Sequence, residues 1–146
     1  MPYLHSVAST DDPWSTLIND DPVRPDIPLE MRIGNHAEIL ILIDEQDEPT
    51  AVVCVRYCRD IPSNVEELLA DPGGDHVAIF YTIWSYGAGA GSKLIFSAMD
   101  HIRRTRPGIT RFITLSPLTE MARKFHLRND AGIFRENAST INYEYI

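Results

Sequence analysis

Residues 76–84 (HVAIFYTIW) constrain the fold of this 146-residue chain more than any other stretch of it. Apolar side chains fall on both faces of an extended segment here, which predicts a central strand that is covered on both sides. The loop SYGAGAG (85–91) and the stretch SKLIFSAMDHIRRTR (92–106) follow directly, and the latter has an apolar stripe at helical spacing. A buried strand, a glycine-rich turn and a helix in this order predict an α/β domain built on a sheet.

Hydrophobic periodicity and turn residues predict the other elements, and the whole chain (1–146) is expected to form one domain. The polar segment EQDEP joins two predicted strands and indicates a hairpin. Ser63, with Glu66 three residues later, is the predicted N-cap of a short helix. Asp11 or Asp12 is the predicted cap of an earlier one. Strands are predicted at 36–44, 50–58, 110–115 and 139–146, and helices at 13–19, 63–70 and 118–129, while the rest of residues 1–35 is expected to be irregular.

The composition is that of an ordinary soluble protein, with 44% hydrophobic and 23% charged residues. The longest apolar run, ILILI (39–43), is too short to span a bilayer, and the N-terminus does not read as a secretory signal. We therefore expect a cytoplasmic protein without a membrane partner. Cys54 and Cys58 would lie roughly 13 Å apart on one strand, which is too far for a disulfide, and two thiols alone do not predict a zinc site.

Charge is distributed unevenly along the chain. Residues 1–75 carry a balance of −12, whereas residues 76–146 carry a balance of +4. Nucleic acid is a poor partner, because a dense basic face is missing. The second half could hold an anionic small molecule. The alternative is a random excess of basic side chains on a solvated surface.

The loop at 85–91 places small residues at the start of the helix that follows it. Small residues let a ligand approach the backbone closely, and a helix N-terminus offers unpaired N–H groups, an arrangement that suits a pyrophosphate. Gly87, Gly89 and Gly91 alternate strictly, so that neither the dinucleotide-binding pattern nor the P-loop pattern is met. The alternative is a tight turn that binds nothing.

This loop resembles the coenzyme-A pyrophosphate loop of the GCN5-related N-acetyltransferase (GNAT) fold, whose motif is Q/R-x-x-G-x-G/A. Gly89 and Gly91 match the two glycines, and Tyr86 replaces the Gln or Arg. The resemblance implies a single GNAT-like domain with a central mixed, mostly antiparallel sheet flanked by helices. It also implies that the following residues bind CoA: Ala88, Gly89, Ala90, Gly91, Ser92 and Lys93.

A wider resemblance connects residues 47–145 with the catalytic domain of malonyl-CoA decarboxylases. The matching segments occur in the same order as in that family, and several of them lie on predicted loops, where the periodicity of a core does not explain them. The segments are DEPTAVVCVRYCRDIPSNVEELL (47–69), AIFYTIWS (78–85), TLSP (114–117), FHLRNDA (125–131) and INYEY (141–145).

The resemblance assigns roles to four residues of this chain. The catalytic serine and histidine of the family correspond to Ser116 and His126. Asn129 corresponds to the asparagine of its N-G-A motif, and Tyr143 to the tyrosine of the motif V-N-Y-x-Y near its end. The sequence departs from the family pattern at Asp130, which replaces a glycine, and no counterpart of the family's helical amino-terminal domain is expected within residues 1–146. The resemblance therefore implies a minimal catalytic domain.

The implied reaction is the loss of CO2 from malonyl-CoA through an enolate of the thioester, which gives acetyl-CoA. Ser116 could hold the carboxylate at the required angle, assisted by Asn129 or Tyr143. His126 could polarise the thioester carbonyl or deliver a proton. No metal or organic cofactor is implied beyond the CoA moiety of the substrate. Backbone N–H groups at the end of the central strand would stabilise the oxyanion, those of Thr82, Ile83 and Trp84.

Each candidate residue also has a structural interpretation. Ser116 could satisfy a backbone group in its turn, Asn129 could cap a helix, and Tyr143 and His126 could be packed, hydrogen-bonded core residues. At the level of function, the alternatives are an acetyl-CoA-dependent N-acetyltransferase and a non-catalytic acyl-CoA-binding module. The choice between malonyl and methylmalonyl groups, between CoA and a carrier protein, and between a monomer and a homo-oligomer stays open.

Overall fold

The computed structural model describes residues 2–146, which form a single mixed β-sheet with α-helices on both of its faces. The strands are β1 (Tyr3–Val7), β2 (Ala37–Ile43), β3 (Pro49–Cys58), β4 (Val77–Ser85), β5 (Arg111–Thr114), β6 (Ser116–Pro117), β7 (Gly132–Glu136) and β8 (Thr140–Tyr145). The helices are α1 (Val65–Ala70), α2 (Ala90–Thr105) and α3 (Glu120–Arg128), with two 3₁₀ helices at Pro13–Asp20 and Leu29–Met31.

The sheet has the order β1-β2-β3-β4-β5-β8-β6, and β7 pairs with β8. The β4–β5 pair is parallel, whereas all other strand pairs within residues 2–146 are antiparallel. This confirms the mixed, mostly antiparallel sheet. The hairpin between β2 and β3 is also confirmed, with Ile39 opposite Cys54.

The central position of β4 follows from its apolar residues, as predicted. Phe80 packs in the cluster that α2 covers, through Leu94, Ile95, Ala98 and Met99. Ile79 and Tyr81 pack in the cluster on the opposite face. Residues of the N-terminal segment cover that second face, among them Trp14, Leu17, Ile18 and Ile27. Burial on both faces explains why β4 shows no polar alternation.

The N-terminal segment is more ordered than the sequence indicates. Tyr3–Val7 forms β1, which pairs with β2 along its whole length, so the prediction of an irregular start is wrong for these residues. Pairing with the exposed edge of β2 creates this strand, and a five-residue segment carries too little periodicity to reveal it. The predicted helix at 13–19 is a 3₁₀ helix capped by Asp12, whose carboxylate accepts a hydrogen bond from Trp14 N at 2.9 Å.

The cap of α1 lies one residue later than predicted. Asn64 is extended and accepts a hydrogen bond from Glu67 N at 2.8 Å, which makes it the N-cap in place of Ser63. The carboxylate of Glu67, not Glu66, accepts a hydrogen bond from Ser63 N at 2.8 Å. The pattern is that of a capping box shifted by one position, except that Glu67 bonds to the N–H of the residue before the N-cap and not to that of the N-cap.

The parallel strands β4 and β5 separate after Phe80. Their register runs from Val77 opposite Arg111 to Phe80 opposite Thr114, and Leu115 N donates one more hydrogen bond to Phe80 O at 2.9 Å. On the other side of β4, Cys54 of β3 lies opposite Thr82 and Val55 lies opposite Phe80, which makes Tyr81 a bulge residue. A bulge bends a strand and increases its local twist. The second half of β4 thus diverges from β5, and a gap opens at the carboxyl end of the pair.

The glycine-rich loop connects the end of β4 to α2, as predicted. Gly89 is the N-cap of α2, with a left-handed φ of +76°, and it offers no side chain to the first turn. Cys54 and Cys58, on β3, are both buried free thiols, which confirms the absence of a disulfide between them.

The substitution Gly89→Ala is expected to lower the free energy of unfolding by about 1 kcal/mol, because an L-residue is strained at a left-handed φ. A Cβ atom at this position meets no atom within 4 Å, so the cost comes from the backbone alone. Gly87→Ala is the matched control, because its φ is not positive and its Cβ also meets nothing within 4 Å. Chemical unfolding of the two variants checks the prediction, and equal stabilities would contradict it.

Candidate active site

A cleft of about 350 Å³ lies in the gap between β4 and the β5–β6 segment. None of the residues that line it is a lysine, arginine, aspartate or glutamate. The cleft therefore offers neutral hydrogen-bonding groups and apolar surface instead of fixed charge. Its walls come from β4 (80–85), the segment after β5 (115–117), α2 (Gly91), α3 (Thr119, Met121, Ala122, Phe125 and His126) and the N-terminal segment (Pro22 and Val23).

Helix α3 brings His126 into this cleft. Thr119 caps the helix by accepting a hydrogen bond from Ala122 N at 3.2 Å. Ala122, Phe125 and His126 then share one face, because residues three and four apart are neighbours on a helix. The imidazole is buried, and its ring stacks on Tyr143 with the ring centroids 4.9 Å apart.

Both ring nitrogens of His126 have partners. Nε2 lies 3.2 Å from Ser116 Oγ, and Nδ1 lies 2.7 Å from Tyr145 Oη. The Ser116 hydroxyl donates to Thr114 Oγ1 at 2.7 Å. Because the Ser116 hydrogen points to Thr114, Ser116 Oγ can only accept a hydrogen bond from His126. Nε2 therefore carries the imidazole proton and donates to Ser116, while Nδ1 accepts from Tyr145. The four side chains form one directional chain of hydrogen bonds, whose two middle members, His126 and Ser116, line the cleft.

Burial lowers the pKa of His126 to about 4, from an ordinary value of 6.5. Desolvation is the cause, since removal from water disfavours the charged form. The imidazole is consequently neutral at physiological pH. It can donate or accept a hydrogen bond there, but it carries no positive charge that could pair with a carboxylate.

Ser116 is positioned by the turn between β5 and β6. Its hydroxyl contacts two side chains, Thr114 and His126, so the hydrogen bonds that the structure gives it are not those of a turn residue satisfying the backbone. Thr114 Oγ1 also accepts a hydrogen bond from Tyr143 N at 3.0 Å, which ties the turn to β8. The structure thus brings Ser116 and His126 together in the cleft.

Asn129 and Tyr143 do not line the cleft. The Asn129 amide donates to Phe125 O at 2.8 Å and caps the C-terminus of α3, which is its structural interpretation. Tyr143 stacks behind His126, and its buried hydroxyl has no hydrogen-bond partner within the described residues. Burial raises the pKa of Tyr143, and the nearby Arg123 guanidinium opposes this effect. Both residues hold α3 and the imidazole in place.

Tyr145 is the residue of this site that the sequence analysis missed. It lies two residues after Tyr143 on β8, so the two rings share one face of the strand. That period-two spacing could have identified it once Tyr143 had been singled out. Burial raises the pKa of Tyr145, which keeps its hydroxyl protonated as the partner of His126.

The predicted oxyanion residues Thr82, Ile83 and Trp84 do line the cleft. They belong to the part of β4 beyond its last hydrogen bond with β5. The Thr82 hydroxyl donates to Asp21 Oδ1 at 2.8 Å, so its hydrogen is not available to a ligand in the cleft.

The loop residues predicted to bind CoA lie at the N-terminus of α2, beside the cleft. No side chain caps this terminus, which leaves N–H groups of the first turn available to an anion. A Cβ atom on Gly91 would lie 3.0 Å from the Phe125 ring, so this glycine allows α2 and α3 to approach each other. Tyr86 Oη donates to Asp20 at 2.7 Å, which ties the start of the loop to the N-terminal segment.

No group of three or more His, Cys, Asp or Glu residues within 2–146 could hold a metal ion. The part of the chain that the structure describes also contains no helix of the length and apolarity that a bilayer crossing requires.

No protein-family model and no curated protein matches this chain, but many solved structures do. A malonyl-CoA decarboxylase from Agrobacterium vitis is 24% identical, with a TM-score of 0.70 over 85% of this chain and 35% of its own. One from Rhodopseudomonas palustris is 17% identical, with a TM-score of 0.75 over 99% and 59%. Arabidopsis thaliana NAA60, solved with acetyl-CoA, is 12% identical, with a TM-score of 0.66 over 99% and 98%.

These likenesses lie below 25% identity and concern the fold. The chain spans between a third and three fifths of the length of the two decarboxylases, and nearly the full length of the acetyltransferase. It has the GCN5-related acyltransferase fold, which it shares with malonyl-CoA decarboxylases as well as with acetyltransferases.

Proposed function

We propose that this chain binds malonyl-CoA in the cleft between β4 and β5 and converts it into acetyl-CoA and CO2. The observation that carries the proposal is the buried pair of Ser116 and His126, 3.2 Å apart, in the wall of a cleft without charged side chains. Both residues lie in motifs, TLSP and FHLRND, that resemble those of malonyl-CoA decarboxylases.

Binding of the CoA moiety is assigned to the N-terminus of α2. The uncapped N–H groups after Gly89 attract the pyrophosphate, and the helix dipole adds to this attraction. From there the pantetheine arm enters the gap beside Thr82–Trp84. This route places the thioester at the cleft wall that His126 and Ser116 form. Two solved neighbours of the same fold were determined in complex with acetyl-CoA or CoA, which supports binding of a CoA thioester by this chain.

The absence of charged side chains from the cleft wall favours loss of CO2. A cation beside the malonyl carboxylate would stabilise the ground state and oppose the movement of its charge into the enolate. The cleft instead offers Ser116 Oγ, which can turn its hydroxyl from Thr114 to the carboxylate and fix its angle. Charge that leaves the carboxylate then accumulates on the thioester oxygen.

His126 is suited to stabilise that oxygen. Its Nε2–H donates to Ser116 in the free protein and can redirect to a thioester oxygen in the cleft. A neutral imidazole with a pKa near 4 is a poor source of protons, so it polarises the carbonyl, and water supplies the proton that the carbon takes up. Tyr145 keeps the proton on Nε2 by donating to Nδ1.

An N-acetyltransferase is the second candidate, because NAA60 matches this chain over 98% of its own length. An amine substrate arrives as an ammonium ion and needs a base to deprotonate it. The cleft wall contains no carboxylate, and an imidazole with a pKa near 4 is a weak base. A negative charge at Asp130 would favour a non-catalytic acyl-CoA-binding module if it lay beside the anionic substrate. The residue is exposed, however, and lies outside the cleft wall. Decarboxylation remains the better fit.

Incubation of the protein with malonyl-CoA is expected to yield acetyl-CoA, which chromatography measures. His126→Gln and Ser116→Ala should each lower kcat by roughly 10²- to 10⁴-fold, because each removes a group that acts on the developing charge. His101→Gln is the matched control, since His101 pairs with Glu38 at 2.9 Å outside the cleft. No acetyl-CoA in the presence of intact CoA binding would exclude the proposed function.

The pH dependence of decarboxylation should follow the neutral form of His126. We expect kcat to stay level from pH 8 to about 5.5 and to fall toward the pKa of about 4 that burial gives this imidazole. Stability should decline over the same range, because between pH 6.5 and 4 the unfolded chain binds a proton that folded His126 does not. The full effect is roughly 3 kcal/mol, lost as the pH falls through this window.

Comparison of wild type with His126→Gln by chemical unfolding between pH 7 and 4 isolates this contribution. The variant should lose less stability than wild type as the pH is lowered. An activity profile with a midpoint near pH 6.5 would indicate an exposed, ordinary histidine and contradict the prediction.

Tyr145→Phe is expected to lower kcat about 10-fold with little change in KM, because Nδ1 loses its donor and the imidazole can adopt the wrong tautomer. Tyr143→Phe is the matched control. It removes a buried hydroxyl without a partner, so the change should leave kcat near wild type and stability unchanged or raised. Steady-state kinetics of both variants checks the pair, and equal losses of kcat would refute the assigned roles.

A further inference from the structure

Residues 21–24, which we call the strap, begin at a buried carboxylate. Asp21 Oδ1 accepts hydrogen bonds from Val23 N at 2.8 Å and Arg24 N at 2.9 Å, which fold the strap into a tight turn. The same oxygen accepts from Thr82 Oγ1 at 2.8 Å. The first end of the strap is thus fixed to β4, in the part of the strand that has left β5.

The other end of the strap is fixed to the opposite side of the gap. Arg24 Nη2 donates to Leu115 O at 3.1 Å. Leu115 immediately follows β5, and its own N–H makes the last hydrogen bond to β4, at Phe80 O. Thr82 and Leu115 therefore stand on the two diverging strands just past the point of separation. The strap connects them across the narrow end of the gap.

Arg32 makes this connection rigid. Its guanidinium is fully buried and pairs with Asp21 Oδ2 at 2.8 Å. It also donates to Ile27 O at 2.8 Å and to Arg24 O at 2.7 Å. A buried ion pair whose other hydrogen-bond donors are satisfied holds its surroundings in one arrangement, because separating the two partners would leave a buried charge without compensation.

Val23 lies between the two fixed ends and lines the cleft together with Ser116 and His126. Its side chain is apolar and half-buried, and the turn below it cannot yield without breaking the bonds to Asp21. A rigid apolar wall at the narrow end of a cleft limits the volume of the group that enters it. In the proposed reaction Ser116 holds the malonyl carboxylate, and Val23 lines the same cleft, so the acyl carbon that carries the carboxylate is assigned to this end.

We propose that Val23, held by the strap, restricts the second carbon of the acyl group to a methylene, so that malonyl-type thioesters are accepted and their 2-methyl derivatives are rejected. The inference rests on the proposed function for the reaction itself. The size limit, however, concerns binding, and it can be measured without turnover. It names the substrate class of the site and the residue that selects it.

Butyryl-CoA and 2-methylbutyryl-CoA test the limit, because they differ by one methyl group at the second carbon and neither can lose CO2. Titration calorimetry of wild type should show tighter binding of the unbranched thioester, by roughly 10- to 200-fold, the discrimination that one methyl group can provide. Val23→Ala should lower this ratio about 10-fold or more, chiefly through tighter binding of 2-methylbutyryl-CoA. Val65→Ala is the matched control, since Val65 is also half-buried but belongs to α1 and packs against the apolar cluster on the second face of the sheet, outside the cleft wall.

Arg24→Met supplies a second, independent variant. It detaches the strap from Leu115 while Val23 is kept, so the ratio should fall by a smaller factor than in Val23→Ala. Thermal unfolding of each variant establishes that it is folded. A wild-type ratio near one, or a ratio that Val23→Ala and Val65→Ala leave equally unchanged, would overturn the inference.

Parallel assays with malonyl-CoA and methylmalonyl-CoA separate this inference from the proposed function. Size selection in binding without release of CO2 would refute the decarboxylase and leave the role of Val23 standing. Release of CO2 from both thioesters at similar rates, unaffected by Val23→Ala, would refute the role of Val23 alone.

Discussion

The end of the hydrogen-bonded ladder between β4 and β5 is the constraint on which the rest of the structure depends. Two parallel strands that stay paired leave no room between them, whereas strands that diverge after Phe80 create a space inside the sheet itself. The Tyr81 bulge on the β3 side bends β4, and after Leu115 the chain leaves β4 and pairs with β8 through Ser116 and Pro117. A backbone group past the end of the ladder is costly unless it is bonded elsewhere. The N-terminal strap meets that need at Leu115, whose carbonyl accepts a hydrogen bond from Arg24, and it is fixed to the other strand through the side chain of Thr82.

Placement of an imidazole in the wall of this gap has an electrostatic consequence. His126 has no carboxylate partner, so burial acts on its pKa without compensation and keeps the ring neutral. The chain from Tyr145 through His126 and Ser116 to Thr114 then carries hydrogen bonds but no net charge. Such an arrangement is poor at abstracting protons from a cationic amine. It is well suited to receive an anion whose charge is about to move, since neutral donors stabilise the charge at its destination without fixing it at its origin.

Local patterns in the sequence predicted the parts of the fold that local interactions determine. The apolar run of β4, the stripe of α2 and the glycine-rich loop each carry their own periodicity, and all three were found. β1, β6 and β7 were missed because each is a short segment that becomes a strand only by pairing with β2 or β8. Ser116 and His126 were identified through motif resemblance and lie together. Tyr145 was not, although its spacing of two from Tyr143 offered a signal once that residue had been singled out. The Asp21–Arg32 pair was also missed, because it lies in a segment dominated by proline and aspartate that has no hydrophobic periodicity.

The N-terminal segment combines two roles that are separate in a simple core. Trp14, Leu17 and Ile18 cover one face of the sheet by hydrophobic burial, which tolerates small displacements. Directional hydrogen bonds then fix the chain to the gap through Asp21, Arg24 and Arg32. Bonds of this kind do not tolerate small displacements. A buried ion pair contributes little net stability compared with apolar residues of the same size, but it specifies one geometry. Asp21 bonds to Thr82 of the cleft wall, while the Arg32 guanidinium reaches Cys54 in the apolar layer behind it. The pair therefore fixes the geometry between the cleft and the core. The part of the chain that looks least regular in sequence therefore determines the shape of the narrow end of the cleft.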